Sequence, residues 1–105
     1  MALFEQGMVL LKEYQPNQGR IVFDVPGFDI DDFARLASDI VQLLSATVLE
    51  TQMDADIQTW LIDFEGCHLF LKAEHYTSSV WLESVAREHS RDELNYLAGL
   101  FKSLN

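Results

Sequence analysis

Residues 57–74 read IQTWLIDFEGCHLFLKAE, and the alternation of apolar and polar side chains in this stretch decides the fold. A two-residue period is typical of a β-strand with one buried face. The apolar positions that share a face are Trp60, Ile62, Phe64, Leu69, Leu71 and Ala73. Glu65-Gly66 interrupts the pattern with turn-forming residues, so the stretch predicts a hairpin of two strands, 57–65 and 68–75.

Similar patterns on both sides of this hairpin extend the sheet. Residues 47–53 alternate and precede it, and residues 79–85 alternate and follow it. Near the N-terminus, residues 8–14 and 20–25 are rich in β-forming side chains and flank a loop with proline, asparagine and glycine. The sequence therefore predicts six strands, most of them antiparallel.

Two segments have the spacing of amphipathic helices. Between residues 33 and 45 the apolar positions are Phe33, Leu36, Ala37, Ile40, Val41 and Leu44, and Asp29 or Asp31 is expected to cap this helix. Ser90 and Glu93 form a capping-box pattern before the second segment. Its apolar positions are Leu94, Leu97, Ala98, Phe101 and Leu104.

The order ββ-α-ββββ-α predicts an α+β fold, a two-layer sandwich with both helices on one face of a largely antiparallel sheet. The chain has 105 residues, a common size for one domain, so residues 1–105 are expected to form a single domain. Apolar residues make up 49% of the chain, enough for a hydrophobic core. A lone cysteine, the lack of a signal-peptide pattern and the lack of a membrane span predict a cytoplasmic protein without a membrane partner.

The net charge of −10 is concentrated in residues 24–65, which contain ten acidic residues and one basic residue, Arg35. A negative field repels phosphate backbones, so no nucleic-acid partner is expected. One interpretation is that the charge serves solubility alone. The other is an acidic patch that meets a basic protein partner, and its residues would be Asp29, Asp31, Asp32, Asp54 and Asp56.

If the helices cover one face of the sheet, the other face is open. Lys72 and Glu83 are expected there as a cross-strand pair. Leu61, Phe70 and Trp81 would form an apolar patch on the same face and a possible interface, with Val22 nearby. An error of one residue in register would move all of these side chains to the core.

No pattern indicates a catalytic, cofactor-binding or metal site, so none is predicted. The histidines His68, His75 and His89 and the single Cys67 lack zinc-site spacing, and the scattered glycines form no phosphate-binding loop. His75 is expected at the edge of the core. The leading hypothesis is a non-enzymatic interaction domain that self-associates or binds a basic protein. The alternative is a small enzyme or ligand-binding protein with a pocket near His75, Tyr76 and Cys67.

Two stretches carry a resemblance to a known family: GRIVFDVPGF at 19–28 and WLIDFEG at 60–66. Together with the length, they resemble a group of short acidic proteins from gammaproteobacteria that form a domain-of-unknown-function family. The resemblance implies no activity, cofactor or site residue.

Overall fold

The computed structural model describes residues 9–25, 29–86 and 91–103. Its strands are β1 (Leu10–Gln15), β2 (Arg20–Asp24), β3 (Thr47–Met53), β4 (Ile57–Phe64), β5 (Cys67–Glu74) and β6 (Ser79–Ser84). Its helices are α1 (Phe33–Leu44) and α2 (Arg91–Ser103). This order confirms the predicted α+β class and the ββ-α-ββββ-α arrangement. No helix in the described ranges is both long and apolar enough to cross a membrane.

All six strands form one antiparallel sheet in the order β1-β2-β6-β5-β4-β3. Strands β3 to β6 follow one another as a meander, and β6 then pairs with β2 of the first hairpin. Both edge strands contain a register shift, between Leu11 and Glu13 in β1 and between Val48 and Glu50 in β3. The sheet therefore has two bulged edges and an unbroken centre.

The core lies between one face of the sheet and the two helices. Its strand residues include Ile21, Phe23, Ile62, Leu69, Leu71, Val80 and Leu82, and its helix residues include Phe33, Leu36, Ile40, Leu94, Leu97 and Phe101. The rings of Phe23 and Phe101 meet edge to face at 4.9 Å, so α2 covers β2. The rings of Phe33 and Trp60 do the same at 6.0 Å, so α1 covers β4. The predicted faces of β2, β4 and β5 are confirmed.

The turn between β4 and β5 shows why this hairpin is readable from sequence. Glu65 and Gly66 both have positive φ, 52° and 85°, which matches the right-handed twist of the strands they join. The Gly66 N–H donates to a carboxylate oxygen of Asp63 at 2.7 Å, which secures the turn from within the hairpin.

One local prediction is refined and another was wrong. The Asp29 carboxylate accepts from the Asp31 N–H at 3.0 Å and so caps the 3₁₀ turn, residues 30–32, that leads directly into α1, whereas Asp32, at the N-cap of α1 itself, makes no side-chain cap bond. His75 is exposed rather than at the core edge, because β5 ends at Glu74. The predictions on Ser90, His89 and Leu104 lie outside the described residues.

Candidate functional site

The open face of the sheet, opposite the helices, brings together the apolar residues that the sequence pattern placed there. Leu61 lies directly opposite Phe70 across the β4–β5 pair. Trp81 lies opposite Lys72 in β5 and opposite Val22 in β2. All of these side chains are half-buried. They form an apolar centre that crosses the middle strands of the sheet.

A charged cluster is built around Glu83 on the same face. Arg20 Nη2 lies 3.2 Å from Glu83 Oε1, and Lys72 Nζ lies 3.5 Å from Oε2. The indole Nε1–H of Trp81 donates to Oε1 at 3.2 Å. The expected Lys72–Glu83 contact is present, but it is diagonal, because Glu83 pairs in register with Phe70. Arg20 joins the cluster because β2 lies next to β6, which the sequence pattern did not indicate.

These contacts decide the charge of Glu83. Burial by itself would raise the pKa of the Glu83 carboxyl, but the Trp81 hydrogen bond and the positive charges of Lys72 and Arg20 outweigh it and lower the pKa. Glu83 is therefore ionised at neutral pH and holds both cations.

The two cations also lie over the aromatic rings. Arg20 Cζ is 5.2 Å from the centre of the Trp81 ring system, and Lys72 Nζ is 5.1 Å from the centre of the Phe70 ring. Both distances are within the range of cation–π attraction. The long basic side chains thus cover part of each ring while their charged ends stay near water.

Acidic side chains surround this apolar and charged centre. They lie on the same face, nearer the edges and ends of the strands, at Glu13, Asp24, Glu50, Asp63 and Glu74. With Glu83, the face has six carboxylates against the cations of Arg20 and Lys72. The open face is therefore apolar in the middle and acidic at its border.

The residues of the predicted acidic patch lie at one end of the molecule. Asp54 and Asp56 lie in the β3–β4 turn. Asp29, Asp31 and Asp32 precede α1, whose first residue, Phe33, contacts Trp60 near the start of β4. The β5–β6 turn joins this end, since the His75 N–H donates to the Asp56 carbonyl at 2.9 Å. The turn with Asp54 and Asp56 thus lies beside the β5–β6 turn, at the same end of the sheet as Glu74 of the acidic border.

A cavity of about 260 Å³ opens on the same face beside Trp81. Its lining residues are Arg20, Val22, Glu74, Thr77, Ser79 and Trp81. The pKa of the Glu74 carboxyl is lowered, most strongly by the hydrogen bond from the Thr77 side chain and next by the bond from the Thr77 backbone N–H. The Tyr76 N–H also donates to this carboxylate, at 3.1 Å. The cavity therefore has an aromatic wall and a negative charge.

The pocket proposed from the sequence near His75, Tyr76 and Cys67 does not form, because these residues lie at opposite ends of β5. Cys67 begins β5 and is buried, whereas His75 and Tyr76 follow its other end in an exposed turn. Eight residues of strand separate Cys67 from His75 by roughly 26 Å. Within residues 9–25, 29–86 and 91–103, no three His, Cys, Asp or Glu side chains are grouped as metal ligands.

Comparison with protein families identifies a relationship for most of the chain. A protein-family model matches residues 9–102, and its description is protein of unknown function (DUF3630). The expected resemblance to an uncharacterised family is confirmed. No curated protein and no solved structure matches the chain significantly.

Proposed function

Since the chain belongs to the DUF3630 family, whose description assigns no activity, we propose a function from the open sheet face: it binds a basic protein partner. The observation that carries the proposal is the apolar centre of Leu61, Phe70 and Trp81 inside an acidic border. Protein interfaces commonly combine a central aromatic anchor with a polar rim, and tryptophan is enriched among the residues that dominate binding.

Charge selects the class of partner. The acidic border would attract lysine and arginine side chains and speed their encounter with this face. A second copy of the chain would bring the same acidic border against itself. The charge therefore favours a basic partner over the homodimer that the sequence also suggested.

The cavity beside Trp81 supports an anchor of matching chemistry. Its indole wall and the ionised Glu74 suit the aliphatic stem and terminal cation of a partner lysine or arginine. Arg20 also lines the cavity, but its guanidinium group is held by the Glu83 carboxylate at 3.2 Å. We expect the partner to insert one long basic side chain there.

The proposal includes a cytoplasmic location. Cys67 is buried and is the single cysteine of the chain, so the chain has no intramolecular disulfide, which is ordinary for a protein in a reducing compartment. Fractionation of cells expressing the full chain from its own promoter would test the location, and recovery in the periplasmic or membrane fraction would contradict it.

The test of function is capture from native lysate by the immobilised full chain, compared across variants and salt concentrations. Trp81→Ser should abolish retention of the partner, and high salt should weaken it. Tyr96→Ser is the matched control, because Tyr96 is an exposed aromatic residue on α2 in the other layer. The captured protein is then purified and its affinity for each variant is measured by calorimetry.

Three results would contradict the proposal: equal retention by Trp81→Ser, loss of retention in Tyr96→Ser, or binding that is unaffected by salt. Light scattering of the free protein separates the homodimer. A dimeric mass that Trp81→Ser converts to a monomer would assign the face to self-association instead.

A further inference from the structure

A groove of about 500 Å³ runs between the edge strand β1 and helix α2. Its lining residues are Leu11, Lys12, Glu13, Tyr14, Asn95, Ala98, Gly99 and Lys102. This volume is in the range of small-molecule sites. The groove lies beside the helix layer at the β1 edge of the sheet, where Glu13 borders both the groove and the open face.

Two structural features aim side chains into this groove. On α2, Asn95, Gly99 and Lys102 are spaced at i, i+4 and i+7, so they form one stripe beside the apolar stripe that packs on the sheet. On β1, Lys12 is the extra residue of the bulge between Leu11 and Glu13. Bulges redirect a side chain out of the regular alternation and are frequent next to binding sites.

The groove is basic in a strongly acidic protein. Lys12 and Lys102 line it, and within the described part of the chain neither forms an ion pair. Arg91 is near enough to act on Tyr14, whose pKa burial raises and the Arg91 charge partly lowers. The one acidic lining residue, Glu13, accepts a hydrogen bond from Gln15 Nε2 at 3.0 Å. Two of the seven basic residues of the chain thus line this groove, and Arg91 is a third near Tyr14.

The polar groups of the groove floor are ordered. The Tyr14 hydroxyl on β1 donates to Asn95 Oδ1 on α2, and the two residues are 81 positions apart in the sequence. This bond uses the amide oxygen and leaves the Asn95 NH₂ group as a donor. A ligand in the groove would therefore meet two ammonium groups and an amide donor, all of which suit an anion.

Gly99 has no structural explanation within the described fold. It lies inside α2, where glycine is unfavourable, and a Cβ placed on it would have no atom within 4 Å. Packing in the folded chain therefore does not require a glycine at this position, since an added Cβ would meet no neighbour. A glycine there keeps the groove open above the helix backbone, as close approach of a ligand requires.

We propose that this groove binds a small organic acid, with an apolar body lying over Gly99 between Leu11 and Ala98. Its anionic group, a carboxylate or a phosphate ester, lies between Lys12 and Lys102. The lysine stems extend the apolar walls, and their ammonium groups supply charge-assisted hydrogen bonds.

The test is a titration of the full, ¹⁵N-labelled chain followed by NMR, with phenylacetate as the probe and phenylacetamide as its uncharged isostere. Phenylacetate should shift the amide signals of Lys12, Asn95 and Gly99 and bind about tenfold more tightly than phenylacetamide. Lys12→Met and Lys102→Met keep the apolar stem, and each should weaken phenylacetate about fivefold without changing phenylacetamide. Gly99→Leu should block both probes.

The control variant is Lys72→Met, which removes a lysine from the open face and should leave binding unchanged. Equal affinity for the two probes, signal shifts centred away from the groove, or a Lys72→Met effect as large as that of Lys12→Met would overturn the proposal. The lysine variants keep the test decisive if Gly99→Leu disturbs α2. Titration with phenyl phosphate then identifies the anionic group, since tighter binding than phenylacetate indicates a phosphate ester and weaker binding a carboxylate.

Discussion

Glu83 is the residue on which the open face is organised. Its carboxylate contacts Arg20, Lys72 and Trp81, which lie on β2, β5 and β6 respectively. Removing the carboxylate would leave two cations close together on one face. The net value of such a half-buried cluster is about 1 kcal/mol, because desolvation offsets much of the attraction.

Glu83→Gln should therefore lower the free energy of unfolding by about 1 kcal/mol at neutral pH. The folded-state pKa of Glu83 is lowered, so its contribution is complete above its ordinary value of 4.5 and is lost as the pH falls through the lowered pKa. Urea denaturation of both proteins over a range of acidic pH measures the difference. That difference should shrink below pH 4.5. Glu50→Gln, on the exposed edge strand, is the control, and a pH-independent difference for Glu83→Gln would contradict this account.

Sequence patterns predicted single residues well only where a local period decided their position. Leu61 and Phe70 were predicted correctly because alternation along one strand fixes the face. Arg20 was missed because its role depends on the β2–β6 pairing. His75 was misplaced because the strand ends one residue earlier, where the Glu74 carboxylate accepts from the Tyr76 and Thr77 N–H groups.

At the scale of elements, two glycines have equally open surroundings but different backbone conformations, so they show how conformation alone affects the cost of adding a side chain. A Cβ at Gly66 or Gly99 would meet no atom within 4 Å. Gly66 has φ +85° in the β4–β5 turn, where an L side chain is strained, whereas Gly99 lies in a regular helix. The same substitution should therefore have opposite effects at the two positions.

Gly99→Ala should raise the free energy of unfolding by about 0.5–1 kcal/mol, because alanine loses less backbone entropy in a helix. Gly66→Ala should lower it by about 1 kcal/mol through strain at positive φ. Chemical denaturation measures both, and each variant is the control for the other. A destabilised Gly99→Ala would show that the groove above α2 is filled in the folded protein.

Most helices and strands were predictable, because they have an apolar period and a turn signal beside them; β3, whose residues are all exposed, has the weakest period. The groove between β1 and α2 was not, since its two walls are far apart in sequence and only the fold brings them together. The glycine at position 99, inside an otherwise strong helical pattern, was the one local signal that pointed to it.

At the scale of the whole molecule, charge is distributed unevenly. The β1–α2 side has Lys12, Arg91 and Lys102, whereas the opposite end has the aspartates before α1 and in the β3–β4 turn. With a net charge of −10, repulsion among acids exceeds the few attractive pairs. Salt should therefore stabilise the fold by screening.

Thermal unfolding at increasing salt should show a rising midpoint for the wild-type protein. Asp54→Asn combined with Asp56→Asn should raise the midpoint at low salt and make the salt dependence shallower, by a few tenths of a kcal/mol for each charge removed. Asp92→Asn is the control, because Asp92 lies in the first turn of α2, where a negative charge is favourable. A midpoint that falls with salt would show that attractive pairs dominate.

The position of β6 has a consequence for synthesis on the ribosome. This strand is the last to be made, yet it lies in the middle of the sheet, between β2 and β5. Until residue 84 has left the exit tunnel, the N-terminal hairpin has no strand to join it to the rest, and both inner edges stay unpaired. Partly folded chains with unpaired strand edges are prone to aggregate and are the chains that chaperones bind. The two halves of the sheet can therefore join only late in translation, once β6 is available to pair with both.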